Sequence, residues 1–145
     1  MNKMAWKTGS RAESQPWGSE VVWTALNILH GKLINIREGH RTSLKYHQIK
    51  DEIFFLLEGK VEIIHGRSKT LHDPEKHPFQ RVILERGECM IIQAGSPYRI
   101  EALEETQMIE IGNRKSDQVI RLLDDYGRDL QDKTRDWTKY IRELE

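Results

Sequence analysis

Between Glu20 and Gly112 the chain alternates short apolar segments with turn residues, and no helix-sized amphipathic segment interrupts the pattern. Turn residues recur roughly every 8 to 12 positions, which is typical of antiparallel sandwiches and barrels. The segments that predict strands are EVVWTALNIL, KLINIRE, TSLKYH, DEIFFLLEG, KVEIIHG, QRVILERG, ECMIIQAG, YRIEALE and TQMIEIG. The sequence therefore predicts an all-β domain.

Two of these segments, EIFFLLEG and ECMIIQAG, are nearly continuous apolar runs, which predicts strands that are buried on both faces. Cys89 lies in the second run and is expected to be a core residue. KLINIRE instead alternates, so that Ile34 and Ile36 share one face. The polar segment GRSKTLHDPEKHPFQ, residues 66–80, predicts a long hairpin loop of the kind that often forms a lid.

The two ends of the chain differ from this central region, residues 16–113. Residues 1–15 are polar and aperiodic, which predicts a flexible arm. Residues 114–145 predict a helical tail, with a first helix capped by Ser116 or Asp117 and broken at Gly127. A second helix over residues 129–144 would carry one apolar stripe, which must pack on the barrel or on a partner. The stripe consists of Leu130, Trp137, Ile141 and Leu144.

Composition narrows the class of protein. The 145 residues include 23 Lys plus Arg and 23 Asp plus Glu, so the net charge is zero and nothing indicates a nucleic-acid-binding protein. The single cysteine fits a reducing compartment. The sequence shows neither a signal-peptide-like apolar run nor an apolar stretch of membrane-spanning length. We therefore expect a cytoplasmic protein of one domain without a membrane partner.

The segment SLKYHQIKDEIFFLL brings potential ligands together. Lys45 and His47 share a strand face, and Glu52 lies on the return strand after the turn QIKD. A later strand through Tyr98 would add a fourth group. Nitrogen and carboxylate ligands that converge inside a barrel suit Zn, Mn, Fe or Ni.

These positions resemble the first motif of the cupin superfamily: glycine, five residues, His-x-His, four residues, Glu, six residues, glycine. Gly39, His47, Glu52 and Gly59 match it, and Lys45 stands at its first histidine. The second cupin motif resembles GECMIIQAGSPY. The resemblance implies a cupin jelly-roll barrel, also called a double-stranded β-helix.

In that second motif, Gln93 stands at the position of a proline and Tyr98 at that of a histidine. Four collinear blocks are also similar to the cupin domain of bacterial type II mannose-6-phosphate isomerases, often fused to a mannose-1-phosphate guanylyltransferase. The blocks are QPWGSE, GHRTSLKYHQIKDE, AGSPYRIE and SDQVIRLLDDYGRD.

This closer resemblance implies one divalent metal, Zn, Mn, Fe, Co or Ni, held by glutamine, histidine, glutamate and histidine. The chain keeps His47 and Glu52 of that set, with Lys45 and Tyr98 at the other two positions. A protonated lysine has no lone pair for a metal. In the alternative, the Lys45 ammonium takes the place of the metal and pairs with Glu52.

The resemblance also implies roles for neighbouring residues. Lys50 stands where the family has Arg or Lys, and Arg99 matches an arginine of the family, so both imply cations near an anionic substrate. Lys50, Arg99 and Tyr98 are candidate catalytic residues. Lys45, Lys50, Trp17 and Arg99 are candidate substrate-binding residues, although Trp17 could instead be a turn anchor that covers the barrel end.

Three functions follow as hypotheses. The first is a sugar-phosphate enzyme, resembling mannose-6-phosphate isomerase, that moves a proton between C1 and C2 of its substrate. The second is a non-catalytic cupin that binds a sugar phosphate or a related anionic carbohydrate in a metal-free pocket. The third is another metal-dependent cupin enzyme. The family resemblance and the apolar stripe of the tail further imply a homodimer.

Overall fold

The computed structural model describes residues 1–23, 26–114 and 118–142. Within these ranges the chain forms eleven strands and one short α-helix. They are β1 (Arg11–Gln15), β2 (Gly18–Val22), β3 (His30–Ile36), β4 (Leu44–His47), β5 (Glu52–Glu58), β6 (Lys60–His65), β7 (Gln80–Glu85), β8 (Cys89–Ile92), β9 (Tyr98–Ala102), β10 (Thr106–Gly112), β11 (Val119–Leu123) and α1 (Thr138–Arg142). No helix in the described ranges is long and apolar enough to cross a membrane.

The strands form two antiparallel sheets. The six-stranded sheet has the order β1-β2-β3-β10-β5-β8, and the five-stranded sheet has the order β11-β4-β9-β6-β7. One apolar core joins them, made by residues that include Ile36, Leu56 and Met108 from the first sheet and Val61 and Ile100 from the second. The predicted all-β jelly-roll barrel with a short C-terminal helix is confirmed.

β5 and β8 are buried on one face only, so the prediction that both faces are buried is wrong. Phe54 and Leu56 are buried, whereas Ile53 is 37% and Phe55 is 36% exposed. Cys89, predicted to be a core residue, is exposed. The reason is that the described C-terminal segment packs on the other sheet, so the outer face of β5 and β8 stays uncovered.

The predicted flexible arm contains a strand. Residues 11–15 form β1, which pairs with β2 in an antiparallel hairpin. RAESQ has no apolar period, so the sequence pattern gives no strand signal. Its backbone is ordered by pairing with Gly18–Val22 rather than by burial of its own side chains.

The C-terminal region also departs from its predicted helices. Residues 119–123 form β11 against β4, whereas Ser116 and Asp117, the predicted helix caps, lie outside the described residues. The apolar alternation in VIRLL outweighs the surrounding charge, because Ile120 and Leu122 are buried against the five-stranded sheet.

The second predicted helix is confined, among the described residues, to α1. Trp137 and Ile141 of the predicted stripe are buried in a second apolar cluster with Leu44, Ile64 and Phe79, and Leu144 lies outside the described residues. The described part of the tail therefore packs on the outer face of the five-stranded sheet of its own chain.

The 66–80 segment packs against the same C-terminal region. A 3-10 helix at Ser68–Leu71 buries Thr70, and Phe79 makes an edge-to-face ring contact with Trp137. Arg135 Nη2 donates a hydrogen bond of 2.6 Å to the carbonyl of His72. These contacts join the segment to the tail.

Candidate functional site

The side chains inside one end of the barrel are polar or charged, and we call this set the polar end. It lies where β4 ends at His47 and β5 begins at Glu52. Its members are Glu20, His30, Lys32, Lys45, His47, Lys50, Glu52, Tyr98 and Glu110. Alternation along β4 turns Lys45 and His47 inward together, and residues 48–51 return the chain so that Glu52 joins them.

Glu52 is the centre of one half of this network. Its Oε1 accepts a 2.8 Å hydrogen bond from the Tyr98 hydroxyl and lies 3.1 Å from His47 Nε2. Its Oε2 lies 3.3 Å from Lys50 Nζ. Burial acts to raise the pKa of Glu52, but the hydrogen bond and charge of His47 and the charge of Lys50 outweigh burial and lower it well below its usual range. Glu52 is therefore a carboxylate.

Glu110 and Glu20 form the other half, on β10 and β2. Glu110 Oε2 lies 3.0 Å from His30 Nε2 and 3.8 Å from both Lys32 Nζ and Lys50 Nζ. Lys32 Nζ also lies 3.1 Å from Glu20 Oε1. Burial alone would lower the pKa of Lys32, but the charges of Glu110 and Glu20 raise it overall. Lys32 is therefore an ammonium, and Lys50 links the two halves.

Lys45 differs from the other two lysines. It is the direct cross-strand neighbour of Tyr98, and its Nζ lies over the Tyr98 ring, 5.8 Å from the centroid. No carboxylate among the described residues lies within the 4.0 Å ion-pair distance of this amine. Burial, and next the charge of Lys32, lower the pKa of Lys45.

The donor set does not fit a divalent metal. His47 and Glu52, the two predicted ligands, contact each other through Nε2 and Oε1, and Lys50 Nζ already contacts the other carboxylate oxygen of Glu52. In the described part of the chain, no three His, Cys, Asp or Glu side chains are grouped so as to hold an ion. The predicted pairing of Lys45 with Glu52 is also wrong, because Lys50 makes that contact.

Two predicted site residues lie elsewhere. Trp17 is 3% exposed and packs in the apolar core, as its turn-anchor alternative expects. Arg99 follows Tyr98 on β9 and therefore points to the opposite face, where its Nε donates to the Thr42 carbonyl and its Nη2 contacts Asp125. Neither side chain joins the polar end, whereas Lys45, His47, Lys50, Glu52 and Tyr98 all do.

Sequence reasoning missed His30, Lys32, Glu20 and Glu110. The sequence could have identified them as charged residues at strand positions that share a face with buried apolar residues. Lys32 has the same strand phase as Ile34, and Glu110 has the phase of the buried Met108. A charged residue that replaces an apolar one at such a position needs a partner inside the fold.

An apolar groove of about 490 Å³ opens beside the polar end. It is lined by residues that include Met4, Trp6, Trp23, Leu29 and His30. Because His30 also contacts Glu110, it joins the wall of this groove to the charge network.

No protein-family model matches the chain, and no curated protein matches it significantly. Solved structures do match. The vicilin from Solanum melongena, which holds different anionic ligands in structurally similar pockets, is 17% identical with a TM-score of 0.55 over 65% of this chain and 26% of its own. A Bacillus subtilis oxalate decarboxylase is 15% identical with a TM-score of 0.66 over 78% of this chain and 30% of its own.

A conserved protein of unknown function from Streptococcus pyogenes is 15% identical, with a TM-score of 0.53 over 67% of this chain and 74% of its own. The chain thus spans about a quarter to a third of the vicilin and the decarboxylase. At these identities the likeness shows the fold, which is that of a cupin barrel.

Proposed function

We propose that the polar end binds a small anionic metabolite of the sugar-phosphate class without a divalent metal. The observation that carries this proposal is Lys45. It is an inward-facing lysine with no carboxylate in ion-pair distance among the described residues, beside a network in which every carboxylate has its cation. An anionic group on a ligand would provide the partner that Lys45 lacks.

The balance of charge supports the same class of ligand. Glu20, Glu52 and Glu110 are each contacted by Lys32 or Lys50, so the protein satisfies its own acids. An incoming anion therefore meets a surplus amine, whereas an incoming cation would have to displace a lysine. The hydroxyl groups of a sugar suit the mixture of donors and acceptors that surrounds this amine.

Calorimetric titration of the full chain with sugar phosphates and with the matching unphosphorylated sugars tests the proposal. We expect binding of the phosphorylated series that chelator does not change, and a loss of roughly tenfold or more in affinity for Lys45→Met. Lys60→Met is the matched control, because Lys60 contacts Glu85 and its side chain is 39% exposed.

Two results would overturn the proposal. One is sugar-phosphate affinity that Lys45→Met leaves unchanged. The other is binding that chelator abolishes and a divalent metal restores, with metal content measured by mass spectrometry. That second result would favour the metal-dependent hypotheses for this site.

A second candidate function is aldose–ketose isomerisation, which one further atom favours. His47 Nδ1 is buried and has no hydrogen-bond partner among the described residues. The base in this candidate is the neutral form of His47, in which Nε2–H donates to Glu52 and the lone pair of Nδ1 takes the substrate proton. Such a base would take the C2 proton of an aldose phosphate while the carbonyl oxygen O1 gains a proton, which gives the enediol. It would then return the proton to C1 while the hydroxyl on C2 loses its proton and becomes the ketose carbonyl.

Solvent deuterium incorporation separates this activity from binding alone. We expect that an isomerase exchanges the C2 proton of its substrate in D₂O, and that His47→Asn stops exchange while sugar-phosphate binding persists. Binding without exchange in the unmodified protein would leave the binding function and remove the isomerase candidate.

A further inference from the structure

A small cavity of about 140 Å³ opens between β8 and the end of β6. Its floor is apolar, because Met90 and Ile92 pack with the apolar core there. Its rim is polar and carries the imidazole of His65, the amide of Gln93 and the hydroxyl of Ser96. None of the residues that line it is an acid, a lysine or an arginine. The cavity therefore suits an uncharged group that forms hydrogen bonds.

His65 faces the interior of the barrel. It has the same strand phase as Val61 and Ile63, which are buried in the apolar core. Burial lowers the pKa of its imidazole. At neutral pH the ring is therefore uncharged, with one nitrogen that donates a hydrogen bond and one that accepts it.

The three polar side chains of the rim are not used by the protein itself. Among the described residues, no hydrogen bond or ion pair involves the side chain of His65, Gln93 or Ser96. Their polar atoms are also not sealed inside the protein, so a ligand can reach them. An imidazole, an amide and a hydroxyl together offer both donors and acceptors, which is what the hydroxyl groups of a sugar need.

The cavity borders the polar end through direct cross-strand pairs. His65 lies opposite Tyr98, and Ile92 lies opposite Glu52. Tyr98 has Lys45 as its neighbour on the other side, so Lys45, Tyr98 and His65 form one row on the inner face. Strand spacing places the backbones of Lys45 and His65 roughly 10 Å apart. The Lys45 amine extends over the Tyr98 ring, which shortens the distance that a ligand must span.

We propose that this cavity is the subsite that recognises the uncharged, hydroxyl-bearing part of the ligand, with His65, Gln93 and Ser96 as its hydrogen-bonding residues. This inference rests on the proposed function, in which Lys45 binds the anionic group. The ligand is then anionic at one end and hydroxylated at the other, which is the chemistry of a hexose phosphate. A cavity of about 140 Å³ holds roughly four or five water-sized groups, so it accommodates part of one sugar and not a second ligand.

Calorimetric titration of the full chain with two phosphates tests the subsite. Mannose 6-phosphate brings hydroxyl groups to the cavity, whereas hexyl phosphate has the same number of carbons and no hydroxyl. We expect His65→Leu and Ser96→Ala each to weaken mannose 6-phosphate by roughly three- to tenfold, as the loss of one hydrogen bond between uncharged groups does. Neither variant should weaken hexyl phosphate, whereas Lys45→Met should weaken both phosphates.

His40→Leu is the matched control. His40 is half-buried like His65, but it lies beyond the Ile36 end of β3 and stacks on Tyr126, with ring centroids 6.4 Å apart. Circular dichroism and melting show whether each variant is folded. Ser96 lies in the loop between β8 and β9, so Ser96→Ala still tests the subsite if His65→Leu does not fold.

The outcomes separate this subsite from the function on which it rests. Mannose 6-phosphate that binds through Lys45 with an affinity that His65→Leu and Ser96→Ala leave unchanged would overturn the subsite alone. So would an equal loss for hexyl phosphate, because the variants would then act through packing and not through hydroxyl recognition. A chain that binds neither phosphate would overturn the proposed function and the subsite with it.

Discussion

The two ends of the barrel interior are built from the same strands but hold opposite chemistry. β3 carries Lys32 at one end and Ile36 at the other, and β5 begins with Glu52 and continues to Leu56. The side chains of the apolar end form the apolar core that joins the two sheets. The polar end is buried almost as deeply, with the Glu52 side chain 1% exposed. The two ends therefore do not differ in how deeply they are buried. They differ in what their side chains contribute to the stability of the fold.

At the apolar end, each large side chain removed from water stabilises the fold by about 1.5–3 kcal/mol. At the polar end, a buried charge destabilises the fold unless it has a partner of opposite charge. A buried ion pair gives the fold about the same stability as apolar residues of the same size would. The polar end thus contributes little net stability. A buried network that adds little stability is a candidate functional site, which is consistent with the proposed ligand site.

The largest expected effect comes from removing the cation that joins both halves of the network. Lys50→Met leaves Glu52 and Glu110 short of one counter-charge, and we expect a loss of about 3–5 kcal/mol in the free energy of unfolding. Leu56→Ala, at the apolar end, is expected to lose a similar 2–5 kcal/mol through its cavity. Urea unfolding measures both.

A second substitution then separates the two ends. Adding Glu52→Met to Lys50→Met removes the stranded carboxylate, so we expect recovery of at least half of the loss. Refilling the Leu56→Ala cavity needs apolar volume and not a change of charge. If the double variant is as unstable as the sum of its singles, Lys50 and Glu52 are not an energetic pair and the contrast between the ends fails.

The intermediate effect is a pH dependence that only the polar end should show. The pKa of Glu52 is lowered in the fold, so its stabilisation is complete above its unfolded pKa of about 4.3 and is lost as pH falls through the folded value. We expect Glu52→Gln to be less stable than the unmodified protein at pH 7, by about 2–3 kcal/mol.

That deficit should shrink steadily below about pH 4, because only the unmodified protein then takes up a proton at this position. Melting curves of both proteins across the acid range provide the measurement. A deficit that stays constant with pH would mean that Glu52 is already protonated in the fold at neutral pH.

The sequence predicts the strands well because their apolar residues are the core itself. It also predicts His47, Lys50 and Glu52 as neighbours, because motif spacing fixes which residues meet across one turn, and the resemblance to the second cupin motif adds Tyr98 to them. It cannot reveal that Lys50 rather than Lys45 contacts Glu52, since that depends on side-chain reach inside the closed barrel. Glu110 was missed because its partners, His30 and Lys50, come from distant parts of the chain.

Arg99 fails as a site residue for a simpler reason. The family resemblance implied that Arg99 shares a site with Tyr98, which precedes it in the sequence. Adjacent residues of a strand, however, face opposite ways. Its partners, Thr42 and Asp125, lie on the outer side of the sheet. The same alternation, applied to β5 and β8, explains why apolar runs that predict two buried faces leave Ile53 and Ile91 on the surface.

The smallest expected effect is that of Tyr98→Phe, which sharpens the boundary between the two ends. The Tyr98 ring packs on Phe54 in the apolar core, with centroids 5.7 Å apart, while its hydroxyl donates to Glu52. Removing only the hydroxyl should cost about 1.5 kcal/mol, the low end for a hydrogen bond to a charged group. Because His47 and Lys50 still contact Glu52, the carboxylate stays paired, so the acid dependence of stability should persist. Urea unfolding at pH 7 and at about pH 3 checks both parts, because the acid dependence develops below the unfolded pKa of about 4.3. If Tyr98→Phe instead removes the acid dependence, the Tyr98 hydroxyl keeps Glu52 ionised and the contacts with His47 and Lys50 do not. The boundary between the two ends would then lie at the Tyr98 ring.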